Sequence, residues 1–269
     1  MKSTTLQHGS FDNLDARDRE KDRERRLAEE RAATAHKLQR KQRLEALIEK
    51  RKSNFSYLLK VHQGGSFWLN IALFSKKDIR RYVSTPSVKQ RTESFFLLGL
   101  SIAKITSYQI GLHTVRAFSQ LIEEWEYFNS GATMQSVKFV MAKNSNCIYP
   151  HTIPIEGFTD LQRPNVYKFN NAVVFEYLQI AHIPFELNYV EVFSALCDAL
   201  SKLYSKFLHE DCYSNFVVYE TILRLDGRIK HHIVNMISKE LTEVASSKLK
   251  SEMNSLRALS GVALTPTVN

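Results

Sequence analysis

Cysteine is scarce in this chain, and the little there is argues against two common schemes. Cys147, Cys197 and Cys212 are too few and too unevenly spaced for a disulfide framework, and no Cys-x-x-Cys pair supplies half of a zinc site. Free thiols in a reducing compartment, the cytoplasm or the nucleus, are the expectation. Long apolar runs are missing too. The longest, Phe95 to Ile105, is broken by Gly99, Ser101 and Lys104 and falls far short of the ~20 residues that span a bilayer. The polar stretch after Met1-Lys2 offers no apolar segment of signal-peptide length, so no membrane partner is expected. Phosphate-binding signatures are absent. Neither G-x-x-x-x-G-K-[ST] nor G-x-G-x-x-G can be written anywhere, which makes a nucleotide cofactor unexpected and leaves Gln63-Gly64-Gly65-Ser66 as a helix terminator.

Glycine and proline vanish between Phe11 and Gln63, and charge fills that interval. From Ala16 to Lys52 there are 14 Lys/Arg against 8 Asp/Glu, so a net +6 of the chain's formal +9 lies in a short leading segment. Acid and base fall three or four apart, as in Asp18–Lys21, Glu20–Arg23, Asp22–Arg25 and Asp22–Arg26, where helix side chains are neighbours. A long helix follows. Its apolar stripe is poor: Leu27 and Leu38 stand alone, and only Leu44, Leu47, Ile48, Phe55 and Leu58 cluster. Arg31, Thr34 and Lys41 occupy positions where a heptad needs apolar residues. A solvated single helix is therefore expected, with a homodimeric coiled coil as the alternative. The arm is assigned to residues 1–55, the body to 56–260 and a loose tail to 261–269.

The body is rich in aromatic and apolar residues, and its periods are helical. Thr85-Pro86 reads as an N-cap with proline at the first helical position, opening a helix through Phe95, Leu98, Ile102 and Ile105. Leu112, Val115, Phe118, Ile122 and Trp125 mark one buried helix face. Residues 130–168 form an irregular excursion in which 137–141 fits a strand or a helical turn equally. A helix is expected from Asn171 to Ile183. The clearest one follows, with Tyr189, Phe193, Leu196, Leu200, Leu203 and Phe207 on one face and Asn188 with Glu191 in a capping-box pattern. Phe216 to Leu225, an Asp226-Gly227 turn and a long final helix close the body. The fold class is all-α, with a minor β element expected in 134–165.

Three constellations invite chemistry. Gly99-Leu100-Ser101-Ile102-Ala103 has the outline of a relaxed nucleophile elbow, but the α/β alternation that such an elbow needs is missing. His209-Glu210-Asp211-Cys212, with His231-His232 further on, suggests a metal; ligands adjacent in sequence rarely converge on one ion. The aromatic clusters Phe67-Trp68-Leu69 and Trp125-Glu126-Tyr127-Phe128 read as core, with a surface anchor for a partner as the alternative. No catalytic, cofactor or metal residue is assigned.

These readings converge on a non-enzymatic adaptor or scaffold that binds protein partners, acidic or coiled-coil in character, with a cytoplasmic and cytoskeletal or multi-subunit setting as the expectation. Its contact residues would be Arg19, Arg23, Arg25, Arg26, Arg40, Lys41, Arg43, Leu44 and Ile48. A nucleic-acid-binding accessory protein using the basic arm is the second reading, weakened by acids that would face phosphates. A serine hydrolase around Ser101 is the third.

Overall fold

The computed structural model describes residues 9–142, 145–148, 165–170 and 172–259. Among them helices dominate, joined by two short antiparallel strand pairs, so the chain is all-α with a minor β element. The first helix, α1 (Gly9–His62), is 54 residues long, roughly 80 Å at ~1.5 Å per residue. It stops at Gly64 and Gly65, which take φ of 75° and 78°. Gly64 is required twice over, because a Cβ there would also meet the backbone nitrogen of Lys76 at 2.9 Å.

The strands β1 (Ser66–Trp68) and β2 (Ala72–Phe74) then form a hairpin. Its turn places Leu69 at φ 48° and Asn70 at φ 57°, a region that costs a leucine roughly 1–2 kcal/mol. The short helix α2 (Lys76–Val83) starts from a reciprocal capping box between Ser75 and Asp78. In α3 (Pro86–Tyr108) proline sits in the first turn as expected, while the Thr85 hydroxyl donates to the Tyr82 carbonyl instead of capping. Next come α4 (Leu112–Phe128) and α5 (Ala132–Met141), which settles 137–141 as helix. Among the described residues the strands are the hairpin above and β3 (Tyr167–Phe169) with β4 (Ala172–Val174), and Cys147, within 134–165, forms a β-bridge with Tyr167.

Two sequence expectations fail. No helix spans 172–183: β4 occupies its start and irregular chain the rest. Nor is there a turn at Asp226-Gly227. There α7 (Phe216–Ile229) runs straight through, continues as a π-helical stretch (Lys230–Asn235) and becomes α8 (Met236–Leu259). The wider π turn keeps Ile229, Ile233, Ile237 and Leu241, spaced by four, on one buried line. The tail 261–269 and most of 143–164 lie outside the described residues.

Around the pair α3 and α6 (Tyr189–His209), which share the largest helix interface, one apolar core gathers side chains from every helix but α5, whose Phe139 packs on a separate small cluster of Tyr127, Ile148 and Val166. Asn188 caps α6 by accepting from Val190 N at 3.0 Å; its amide meets Glu191 side chain to side chain. No helix among the described residues is long and apolar enough to cross a membrane.

Candidate protein-interaction surface

Along α1 the residues nominated as partner contacts divide into three groups. Arg19, Arg23, Arg25 and Arg26 lie where every side chain from residue 19 to 39 is exposed. Within that span Arg25 pairs with Asp22 at 3.1 Å, as the spacing predicts, and lies 3.9 Å from Glu29. Arg43 is exposed further along.

Arg40 and Lys41 belong to the second group, which anchors the arm. The Arg40 guanidinium donates to the carbonyls of Tyr213 (2.8 Å) and Ser214 (3.1 Å), in the loop between α6 and α7. Lys37 and Lys41 hold their ammonium groups 5.8 and 5.9 Å from the centre of the Tyr213 ring. These cations are engaged in holding the helix to its own body.

Leu44 and Ile48 form the third group, and here the sequence assignment is corrected. Both are buried in the common core with Phe55, Leu58 and Val61, so no partner can reach them. The stripe looks poor in sequence because its middle member is an arginine. Arg51 stands where an apolar residue would complete the run. It is buried, and it makes a two-pronged bond to Asp226 at 2.8 and 2.7 Å, with the Tyr204 hydroxyl donating to the same carboxylate at 2.7 Å. Neither residue could be paired from sequence, since 175 positions separate them. The same bond explains why Asp226 does not start a turn.

A second polar system was equally hidden. On α4, Glu124 is fully buried, and its carboxylate accepts from the backbone N–H groups of Glu176, Tyr177 and Leu178 at 2.8–2.9 Å. The next N–H, of Gln179, is received by Ser101 Oγ at 2.9 Å. Four consecutive backbone donors are thus satisfied by side chains of α3 and α4, which is how 176–179 keeps its N–H groups bonded outside any helix or sheet. Gln120, one turn before Glu124, accepts from Asn165 N and donates to the Asn165 carbonyl. These contacts cover the polar side of α4 and bury it nearly all round, not on one face alone.

Ser101 is fully occupied by this role. It sits inside α3 rather than on a strand-to-helix turn, is buried, and donates to the Leu97 carbonyl at 2.7 Å while accepting from Gln179. A nucleophile elbow would expose it beside a base. The His209–Cys212 row is engaged separately: Glu210 accepts from Gly111 N at 2.6 Å and from the Thr114 hydroxyl at 3.3 Å, closing the start of α4. Among the described residues no three His, Cys, Asp or Glu side chains are placed to share a metal ion. Burial pushes the Cys197 thiol up strongly and the Cys212 thiol up to about 11, which suppresses thiolate reactivity.

Two further ion-pair clusters brace the helices. Arg91 on α3 grips Glu240 on α8 at 2.8 and 2.7 Å, with Tyr82 bonded to both. Arg228 bonds Glu126 and Glu123 on α4, and His232 on the π turn lies 3.0 Å from Glu126. Burial would raise Glu126, but hydrogen bonds from His232 and Arg228 outweigh it and hold the carboxyl at about 2.

No family model, curated protein or solved structure matches the chain.

Proposed function

We propose that this chain is a non-enzymatic adaptor whose helical body serves as a mount and whose exposed helix, residues 19–39, binds a protein partner with an acidic or coiled-coil surface, in a cytoplasmic and cytoskeletal or multi-subunit setting. The observation that carries the reading is the contrast along α1: a helical segment with every side chain in solvent continues into one locked to the body by Arg40, Leu44, Ile48 and Arg51. Mixed charge suits a protein partner, because acids and bases together set register as well as attraction. It suits phosphate poorly. Interspersed acids should limit phosphate contacts to about 3–5, each contributing a slope of about −0.9 in log K against log salt, so such binding fades at physiological ionic strength.

Affinity purification with the full chain and with Arg23→Glu, Arg25→Glu, Arg26→Glu tests this, alongside titrations against duplex DNA, single-stranded RNA and cytoskeletal filaments at low and physiological salt. Loss of a discrete protein partner in the charge-reversed chain supports the adaptor. Tight, sequence-selective nucleic-acid binding at physiological salt would sink it in favour of the nucleic-acid reading.

A further inference from the structure

The β1–β2 hairpin carries an apolar surface that the body does not use. Its inner face, Trp68, Ala72 and Phe74, is buried. Its outer face and tip are Phe67, Leu69, Ile71 and Leu73, between 46% and 60% exposed. Phe67 and Leu73 are direct cross-strand partners, so strand alternation turns both outward. Leu69 and Ile71 belong to the turn that joins them.

Leu69 is unusual in a second way. Its φ of 48° is one that glycine adopts freely and asparagine tolerates, as Asn70 does at 57°. A leucine here takes on backbone strain and recovers no burial. The tip is nevertheless held firmly. Leu69 N donates to the Tyr57 hydroxyl at 2.6 Å, that hydroxyl donates to the Phe67 carbonyl at 3.2 Å, and the Tyr57 ring stacks on Trp68 at 5.5 Å. Tyr57 works as a wedge that fixes the apolar tip outward.

The charge beside it has one sign. Lys76, Lys77 and Arg80 on α2 are exposed and pair with no carboxylate among the described residues, whereas the acid of that helix, Asp78, is committed to Lys248 at 2.7 Å and to the Ser75 cap. Arg81 faces a groove shared with Glu243 and Glu252. Three residue steps from Leu73 to Lys76 span at most about 11 Å, so the cations lie close to the apolar face.

Exposed aliphatic and aromatic side chains beside exposed cations match the interface of an anionic bilayer, where the former enter the acyl boundary and the latter meet headgroup charge. Nucleic acid would leave the four apolar side chains nothing to bury against, and an outward-held tip would need a matching pocket on a protein. We propose that the β1–β2 tip and the exposed face of α2 form a peripheral docking surface for an anionic membrane. Such a contact needs no membrane-crossing helix. It revises the expectation of no membrane partner, which rested on the lack of a spanning segment, and it stands independently of what the arm binds.

Co-sedimentation of the full-length protein with phosphatidylcholine vesicles, with and without phosphatidylserine, tests the proposal. Binding is expected only with phosphatidylserine and should weaken with salt. Leu69→Asp with Ile71→Asp should lower partitioning by about tenfold or more, as should Lys76→Glu with Lys77→Glu and Arg80→Glu. Arg23→Glu, Arg25→Glu, Arg26→Glu should leave it nearly unchanged, which separates the patch from the arm. A Leu69→Trp reporter should shift its emission to the blue on anionic vesicles. All substituted positions are exposed, and unchanged far-UV circular dichroism checks that the fold is kept. The proposal is overturned if phosphatidylserine vesicles are not bound, if both patch variants bind them as the parent does, or if the variants lose an acidic protein ligand while keeping the vesicles.

Discussion

Between residues 19 and 39 helix α1 has every side chain in water, and from residue 44 to 61 the same helix buries Leu44, Ile48, Arg51, Phe55, Leu58 and Val61. Backbone propensity is continuous across both segments, since neither contains glycine or proline. What differs is the face. The first segment has isolated leucines, and Leu27 and Leu38 are both exposed; the second has a stripe that meets α6 and α7. A helix can therefore be one secondary-structure element and two energetic units, the first sustained by local propensity and pairs such as Asp22–Arg25, the second by tertiary packing. The cations follow the same division. Arg51 and Arg40 are structural, whereas Arg23 and Arg26 remain on the solvent side.

Breaking the buried half should have the largest effect. Asp226→Ala leaves the Arg51 guanidinium buried without its carboxylate and should cost about 3–5 kcal/mol, read as a shift in the denaturant midpoint. Replacing both, Arg51→Met with Asp226→Leu, should recover much of that loss. A double variant no more stable than Asp226→Ala alone would show that the site needs charge and not volume. Leu44→Ala should follow at about 2–5 kcal/mol, while Leu27→Ala on the solvent half stays within about 0.5 kcal/mol. Equal losses at the two leucines would erase the distinction between the halves.

The clamp on 176–179 comes next. Glu124→Gln turns an amide group toward backbone donors and should cost about 1–3 kcal/mol, with Ser101→Ala nearer 1 kcal/mol. Faster amide exchange at Tyr177 to Gln179 in both variants would locate the loss. A broad serine-reactive probe should leave Ser101 unlabelled in the folded chain, because the hydroxyl is buried and bonded to the Leu97 carbonyl and Gln179 N.

Acidification should weaken the inter-helix braces. Burial raises Asp78, yet hydrogen bonds from Lys248 and Ser75 prevail and hold it at about 2, as the partners of Glu126 do for that carboxyl. A carboxyl depressed in the folded state contributes stability that is present above its unfolded pKa and lost as pH falls toward the folded value. His62 acts in the same direction. Burial, followed by the Arg91 charge, lowers its pKa against the opposing hydrogen bond to Leu58 and the Glu240 carboxylate, so protonation below about pH 6.5 favours the unfolded chain. Denaturation midpoints should decline from about pH 7 to about pH 3. In Glu126→Gln the acid-side decline should be shallower.

Removal of residues 1–35 should have the smallest effect, leaving the melting transition of the body nearly in place, since among the described residues no core side chain lies before Leu44. A drop comparable to that of Leu44→Ala would mean that the solvent half contributes to the body after all.

Local patterns in the sequence were enough for α1, α3, α4 and α6. Their apolar periods and the breaks at Gly64-Gly65, Pro86 and Asn188 act over one or two helical turns, and helical geometry converts that spacing directly into a buried face. The charge asymmetry of α1 was legible for the same reason. The partition of its cations was not, because whether Arg40 and Arg51 face water or a carbonyl and a carboxylate depends on Tyr213 and Asp226, more than 170 residues away. The same holds for 171–183, whose composition permits a helix but whose N–H groups are taken by Glu124 and Ser101, and for Asp226-Gly227, whose turn chemistry yields to a buried ion pair. Side-chain periodicity determines which faces seek burial. Which polar groups end up buried with them was decided only by the tertiary structure, since a hydrogen bond from a distant element can outweigh a local preference of a few tenths of a kcal/mol up to about 1.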